Sequence, residues 1–230
     1  MESHIEAGTS RTMRVVALQE LAEDIYELTL GHDGFEFEPG ECVVLFGPDG
    51  ISRPYSVASA PTEAGRLRIL FRRMPAGLLT SWLCTRGCGD PIMVSYPFGE
   101  LRPRPEAVEG EAAPVYIATG LGIAPFLSAL RDERVHTPKP ICIYGVRRLA
   151  DVIDHDLLRR RCDLRLALSR EFMAGHHHGY VDELVYALDL KPVRHYHVCG
   201  LDAMVYAVAD WLEEQTVPGE MIHTEVFFTA

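Results

Sequence analysis

The chain has 230 residues, 47% apolar and 24% charged, an ordinary globular make-up long enough for two domains of roughly 100–130 residues. Its 33 acidic against 22 basic side chains give a net charge of -11, which argues against a nucleic-acid surface. No window reaches the ~18–20 unbroken apolar residues of a membrane span, and six scattered cysteines lack the converging spacing of a zinc or iron–sulfur site.

Residues 1–12 carry Glu2, His4 and Glu6 without an apolar core, so a flexible tail is expected rather than a secretory leader. Residues 13–102 then show short strands divided by turns. Strands are expected at Met13–Leu18, Asp24–Leu30, Cys42–Phe46, Arg53–Ala58, Arg66–Arg72 and Ile92–Ser95, separated by Gly31–Gly34, Gly47–Gly50, Ala60–Gly65 and Gly89-Asp90. Only Leu78–Cys84 has helical apolar spacing. This pattern predicts a closed antiparallel β-barrel. Residues 103–113, rich in Pro, Glu and Ala, are expected to be a linker.

From Pro114 the rhythm changes. Strands at Val115–Ala118, Ile141–Tyr144, Leu164–Leu168, His195–Cys199 and Met221–Phe228 alternate with helices at Ile123–Arg131, Val152–Arg161, Val181–Leu188 and Leu201–Glu214. Such alternation predicts a doubly wound α/β domain with a parallel sheet over 114–230. His176-His177-His178 sits in a polar loop opened by Gly175. Adjacent side chains diverge, so a solvated loop is expected there and not a metal site.

Three stretches carry chemistry. Arg53-Pro54-Tyr55-Ser56 offers a guanidinium fork for phosphate, a flat ring and a hydroxyl, although a surface ion pair explains Arg53 equally well. Gly77-Leu78-Leu79-Thr80 opens the single barrel helix with free amides suited to an anion, or simply with a structural cap. Gly120-Leu121-Gly122 follows a strand and opens a helix, as a phosphate-cradling turn does, yet it lacks the third glycine of the Rossmann fingerprint.

Taken in order with Ser169-Arg170-Glu171, Cys199-Gly200-Leu201 and Glu225-Val226-Phe227, these stretches resemble the ferredoxin–NADP reductase family from about Met13 to Phe227. The resemblance implies a six-stranded FAD-binding barrel followed by a pyridine-dinucleotide domain. It assigns Arg53 to the FAD pyrophosphate, with Pro54 beside it, Tyr55 to the flavin face and Ser56 to the N5 edge. Phe71, Arg72, Gly77, Leu79 and Thr80 would hold the ribityl chain and phosphates. Thr119, Gly120 and Gly122 would receive the dinucleotide, with Cys199 and Gly200 near the nicotinamide. Glu225 would lie on the proton route, and Phe227 or Phe228 would cover the ring. Tyr96-Pro97-Phe98-Gly99 departs from the family's Gly-Pro-x-Gly turn by Tyr96, which leaves the adenine contact open.

Ser169 and Arg170 suit the 2′-phosphate of NADP, with NAD as the alternative, because no acidic residue takes either position. The implied function is an FAD-dependent oxidoreductase that moves a hydride from NADPH to FAD and single electrons to an external carrier, a ferredoxin, a flavodoxin or an oxygenase component. Arg72-Arg73 would seed the basic patch for an acidic carrier. A reductase of free flavin and an electron-transfer subunit of a larger complex are the competing readings. Free thiols at Cys42, Cys84, Cys88, Cys142, Cys162 and Cys199 point to a reducing cytoplasm.

Overall fold

The computed structural model describes residues 10–103, 111–132 and 139–227. Most of the expected linker, and Phe228, therefore lie outside the described residues.

The first half is a six-stranded antiparallel sheet in the order β4-β3-β6-β1-β2-β5. Its strands are β1 (Ser10–Ala22), β2 (Ile25–Gly31), β3 (Cys42–Phe46), β4 (Ser52–Ser56), β5 (Arg66–Arg72) and β6 (Pro91–Ser95). The outer strands meet beyond β4, where Val57 bridges Ile69 and the Ala58 N–H donates to the Arg68 carbonyl at 2.8 Å. That contact curls the sheet toward a barrel and satisfies an edge that would otherwise stay open. Alternation drives the closure: Leu28, Leu30, Val43, Leu45, Leu67, Ile69, Ile92 and Val94 fill one interior cluster, capped by Leu79 and Leu83 of α1 (Leu78–Leu83).

One expected boundary changes. Ser10, Arg11 and Thr12 are not part of a tail, because they pair with Ser95, Val94 and Met93 of β6. The polar stretch forms a strand through its neighbour's free backbone edge, a long-range contact that composition does not reveal.

The second half is a six-stranded, wholly parallel sheet in the order β10-β9-β8-β7-β11-β12. Its strands are β7 (Val115–Thr119), β8 (Ile141–Val146), β9 (Asp163–Leu168), β10 (His177–His178), β11 (Tyr196–Leu201) and β12 (Ile222–Phe227). The expected solvated histidine loop thus contains a short strand: His177 and His178 pair with Ala167 and Leu168, taking up the edge of β9. Helices α2 (Ala124–Arg131) and α3 (His155–Arg161) cover one face, and α4 (Val181–Tyr186) and α5 (Asp202–Glu214) the other. In β7, Val115 and Ile117 join the α4–α5 core while Tyr116 and Ala118 join the opposite one. That opposite core also takes in Ile25, Ala58, Leu70 and Leu101 of the barrel, so a single apolar cluster welds the halves together.

Candidate active site

The parallel sheet reverses its winding between β7 and β11. From β7 the chain proceeds outward through β8 and β9, then returns to the other side for β11 and β12. Ligands of open α/β sheets collect outside the strand C-termini at such a switch point. Here that edge carries Thr119, Ser169, Cys199 and Glu225, and it faces the barrel.

Four side chains meet across the crevice. The Ser56 hydroxyl at the end of β4 donates to Glu225 Oε1 of β12 at 2.6 Å. The Cys42 thiol at the start of β3 lies 3.5 Å from both Glu225 oxygens and 3.5 Å from Ser56 Oγ. Cys199 Sγ of β11 approaches Glu225 Oε1 at 3.8 Å. Strand registers dictate the grouping: Cys42 stands opposite Ser56, and Cys199 opposite Glu225. Burial pushes the Glu225 carboxyl above its ordinary range, while hydrogen bonds from Ser56, Cys42 and Cys199 pull it back. Burial and the nearby Glu225 carboxylate push the Cys42 thiol up to about 12 and hold Cys199 well above its usual value. Both thiols therefore stay protonated and act as donors.

The dinucleotide side rests on close backbone approach. Gly120–Ile123 forms a 3-10 turn into α2. A Cβ at Gly122 would stand 2.6 Å from the Cys199 carbonyl carbon and 2.7 Å from Gly200 Cα, so only glycine lets this turn lie against β11. Gly200 takes a φ of +144°, and the Thr119 hydroxyl accepts the next amide, Leu201 N–H, at 3.0 Å. Thr119 thereby locks the ends of β7 and β11 together. Gly120, at φ +53°, has nothing within 4 Å of its Cβ position, which leaves its outer side open.

At the β8 and β9 ends, Ser169 and Arg170 donate backbone amides to the carbonyls of Val146 and Arg147 at 3.0 and 2.9 Å. Arg147, Arg148 and Arg170 are all exposed, and none forms an ion pair with a described residue. Arg170 forms no ion pair with its sequence neighbour Glu171. Glu171 instead accepts the Leu149 N–H at 2.7 Å. Phe172 is 81% exposed, Tyr180 lies nearby in sequence, and His178 stands edge-on to Phe172. Phe172 was missed from sequence, although an exposed ring two residues past Arg170 is a signal that could have found it.

On the barrel side Arg53 is exposed and forms no ion pair with a described residue; its guanidinium donates to the Ser52 carbonyl at 2.8 Å. Arg53 and Tyr55 share one face of β4, with Pro54 and Ser56 on the other. Tyr55 is packed on the barrel cluster, and burial raises its hydroxyl to about 12 against the pull of Arg53. Helix α1 lies over Gly47, where a Cβ would meet Leu79 Cδ1 at 2.6 Å, and so sits beside the hairpin end bearing Arg53. Leu79 is buried in the barrel, so its side chain is structural. The Thr80 hydroxyl accepts the Met74 N–H at 3.1 Å and faces the Gly77 carbonyl at 3.4 Å, and no side chain caps the first amides of α1. Phe71 is wholly buried in the barrel, leaving only its backbone for a ligand, while Arg72 reaches partial exposure. Phe227 is half-buried on the cluster that joins the halves, opposite Leu201.

Among the described residues, no group of three or more His, Cys, Asp or Glu is placed to hold a metal, and no helix is long and apolar enough to cross a membrane. No family model matches the chain. It is similar to ferredoxin–NADP reductase B of Sorangium cellulosum, with 31% identity over 237 residues, covering 92% of this chain and 95% of that protein. It is 27% identical over 207 residues to the electron transfer component of anthranilate 1,2-dioxygenase of Acinetobacter baylyi, spanning 84% of this chain and 58% of that longer protein. The fold matches a ferredoxin–NADP reductase of Neisseria gonorrhoeae solved with FAD and NADP, at a TM-score of 0.80 and 21% identity over 97% of this chain and 100% of that one.

Proposed function

The chain belongs to the ferredoxin–NADP reductase family of flavoenzymes, and from that premise we propose that it draws a hydride from NADPH on behalf of an external electron carrier. Bound FAD would supply the conversion between a hydride pair and single electrons, chemistry that no side chain performs. The donor set fits such a pair of cofactors. An exposed guanidinium without an ion pair to any described residue stands at Arg53, uncapped amides open α1 beside it, and the Gly120–Gly122 turn leaves an open side.

Arg53 with Gly77, Leu79 and Thr80, through backbone groups and the Thr80 hydroxyl, would bind the flavin phosphates, and Phe71 and Arg72 the chain between. Tyr55 and Phe227 would flank the ring. Thr119, Gly120, Gly122 and Gly200 would set the dinucleotide's course along the strand ends. Ser169 and Arg170, with Arg147 and Arg148 close by, would take the 2′-phosphate that distinguishes NADP from NAD. Ser56 and Glu225 would hold and pass a proton between Oγ and Oε1, while Cys199 limits the pocket beside them.

One observation carries the reading: a barrel hydroxyl and a carboxylate of the parallel sheet meet at 2.6 Å at the switch point. The acceptor is proposed to be a ferredoxin, a flavodoxin or an oxygenase component. Arg73 is tied to Asp24 at 2.7 Å, so Arg72 rather than the pair would greet an acidic partner. Six free thiols fit work in the cytoplasm.

Rapid mixing of the FAD-loaded chain with NADPH and NADH tests the proposal. NADPH is expected to bleach the flavin at far lower concentration than NADH. Arg170→Ala should raise the KM for NADPH about 10–100-fold, the loss of one charged hydrogen bond, and leave that for NADH unchanged. Failure of NADPH to bleach the flavin sinks the reading. Bleaching by a chain that sheds its flavin on gel filtration points to a reductase of free flavin instead.

A further inference from the structure

Glu225 draws its partners from three other strands, and among the described residues the donors that face it are neutral: Ser56 from β4, Cys42 from β3 and Cys199 from β11. On its own strand, His223 lies two residues earlier and is occupied at 2.8 Å with His195, ring-stacked on His197. Glu41, the charged neighbour of Cys42, is held by Arg102 at 3.1 Å. No cation among these groups balances the carboxylate, so hydrogen bonds alone offset the burial that raises it.

Cys42 is the one member of this group that the family resemblance does not assign. Its neighbours Val43 and Leu45 turn into the barrel, which by strand alternation sends Cys42 outward to β12. Its backbone is clamped on both sides. Phe98 exchanges two hydrogen bonds with it, at 2.6 and 2.9 Å, and Ser56 pairs with it across β4. The thiol is thus fixed midway between the two Glu225 oxygens, 3.5 Å from each.

Resting on the function read above, we propose that Cys42 is a positioning residue for Glu225, its thiol donating across the crevice to keep the carboxylate aimed at Ser56 and to set how readily it takes up a proton. A centred donor serves either oxygen equally. The contact then survives whichever oxygen carries the proton, since the thiol can donate to the other. A thiol that stays protonated never competes as a second anion, whereas a carboxylate or a thiolate there would repel Glu225.

The test follows the Glu225 carboxyl directly, in the purified full chain, by infrared titration, with Glu225→Gln subtraction identifying its band. Cys42→Ala should move the midpoint up by about half a pH unit, the scale of one weak neutral donor. Cys42→Ser retains a donor and should return the midpoint to the original value or below. Cys42→Val gives a second variant without a donor should the alanine form fail to fold. A midpoint unmoved in Ala and Val, or raised as far in Ser as in Ala, overturns the proposal. The pH limb of flavin bleaching by NADPH should move in step with the band. A shifted band in a chain that NADPH cannot bleach would sink the activity while keeping the Cys42 contact, so the two failures are told apart.

Discussion

Glu225 is held in the crevice against its solvation preference. Its carboxyl ordinarily titrates near 4.5 and is raised by burial. An acid raised in the folded state contributes stability that is whole below the unfolded value and is lost as pH climbs through the folded one. Glu225→Gln removes that dependence. Its melting temperature should therefore match the parent near pH 4, exceed it progressively as pH rises past the unfolded carboxyl's value and level off once the folded carboxyl has ionised, followed by calorimetry. A difference constant with pH would show that the carboxyl is not desolvated. At this scale the sequence was only partly legible. Ser56, Cys199 and Glu225 stand in motifs whose order gives them away. Cys42, inside the apolar run Cys42–Phe46, looks like any core thiol, because its outward face exists only once β3 has a partner across the crevice.

Among the elements, the β7–turn–α2 unit decides how the two strand ends meet. Gly122→Ala would press a methyl into the Cys199 and Gly200 backbone, which cannot yield without parting β7 from β11. Overpacking of this kind costs about 1–3 kcal/mol. Urea unfolding should report that loss, and the KM for NADPH should rise while the barrel keeps its flavin. Unchanged stability and KM would mean that the turn has room to move. Strand and helix positions were largely readable, with Cys42–Phe46 and Arg66–Arg72 matching their expected ends, since buried alternation and turn residues are local signals. Ser10–Thr12 and His177-His178 were not readable, because a polar segment becomes a strand by borrowing another strand's edge.

Across the whole molecule, the halves are held by a clamp as well as by the shared apolar cluster. Arg131, the last residue of α2, reaches Glu27 of β2 at 3.1 Å, the Ala58 carbonyl at 2.8 Å and Asp154 at 2.6 Å. The Ser128 hydroxyl, one turn earlier, donates to the Ser59 carbonyl at 2.7 Å. Helix α2 thus joins the glycine turn at one end to the barrel at the other, so the crevice keeps its width. Glu27 is only 7% exposed and keeps Arg68 at 2.9 Å when Arg131 is lost. Arg131→Met should accordingly cost about 2–3 kcal/mol, less than breaking a fully buried lone pair. It should also slow flavin bleaching by NADPH, with Arg131→Lys intermediate. A loss below about 0.5 kcal/mol in urea unfolding would assign the clamp to the surface class of ion pairs.

Local pattern, by itself, determined the barrel-then-α/β order, and motif order pointed to the family, because periodicity, turn residues and glycine placement act over a few neighbours. Only the tertiary structure decided that Cys42 confronts Glu225, that Arg73 is tied to Asp24 while Arg170 meets no ion-pair partner among the described residues, and that Arg131 locks the two halves. Such pairings join residues far apart in sequence, and they exist only after both surfaces have been built and brought within hydrogen-bond reach.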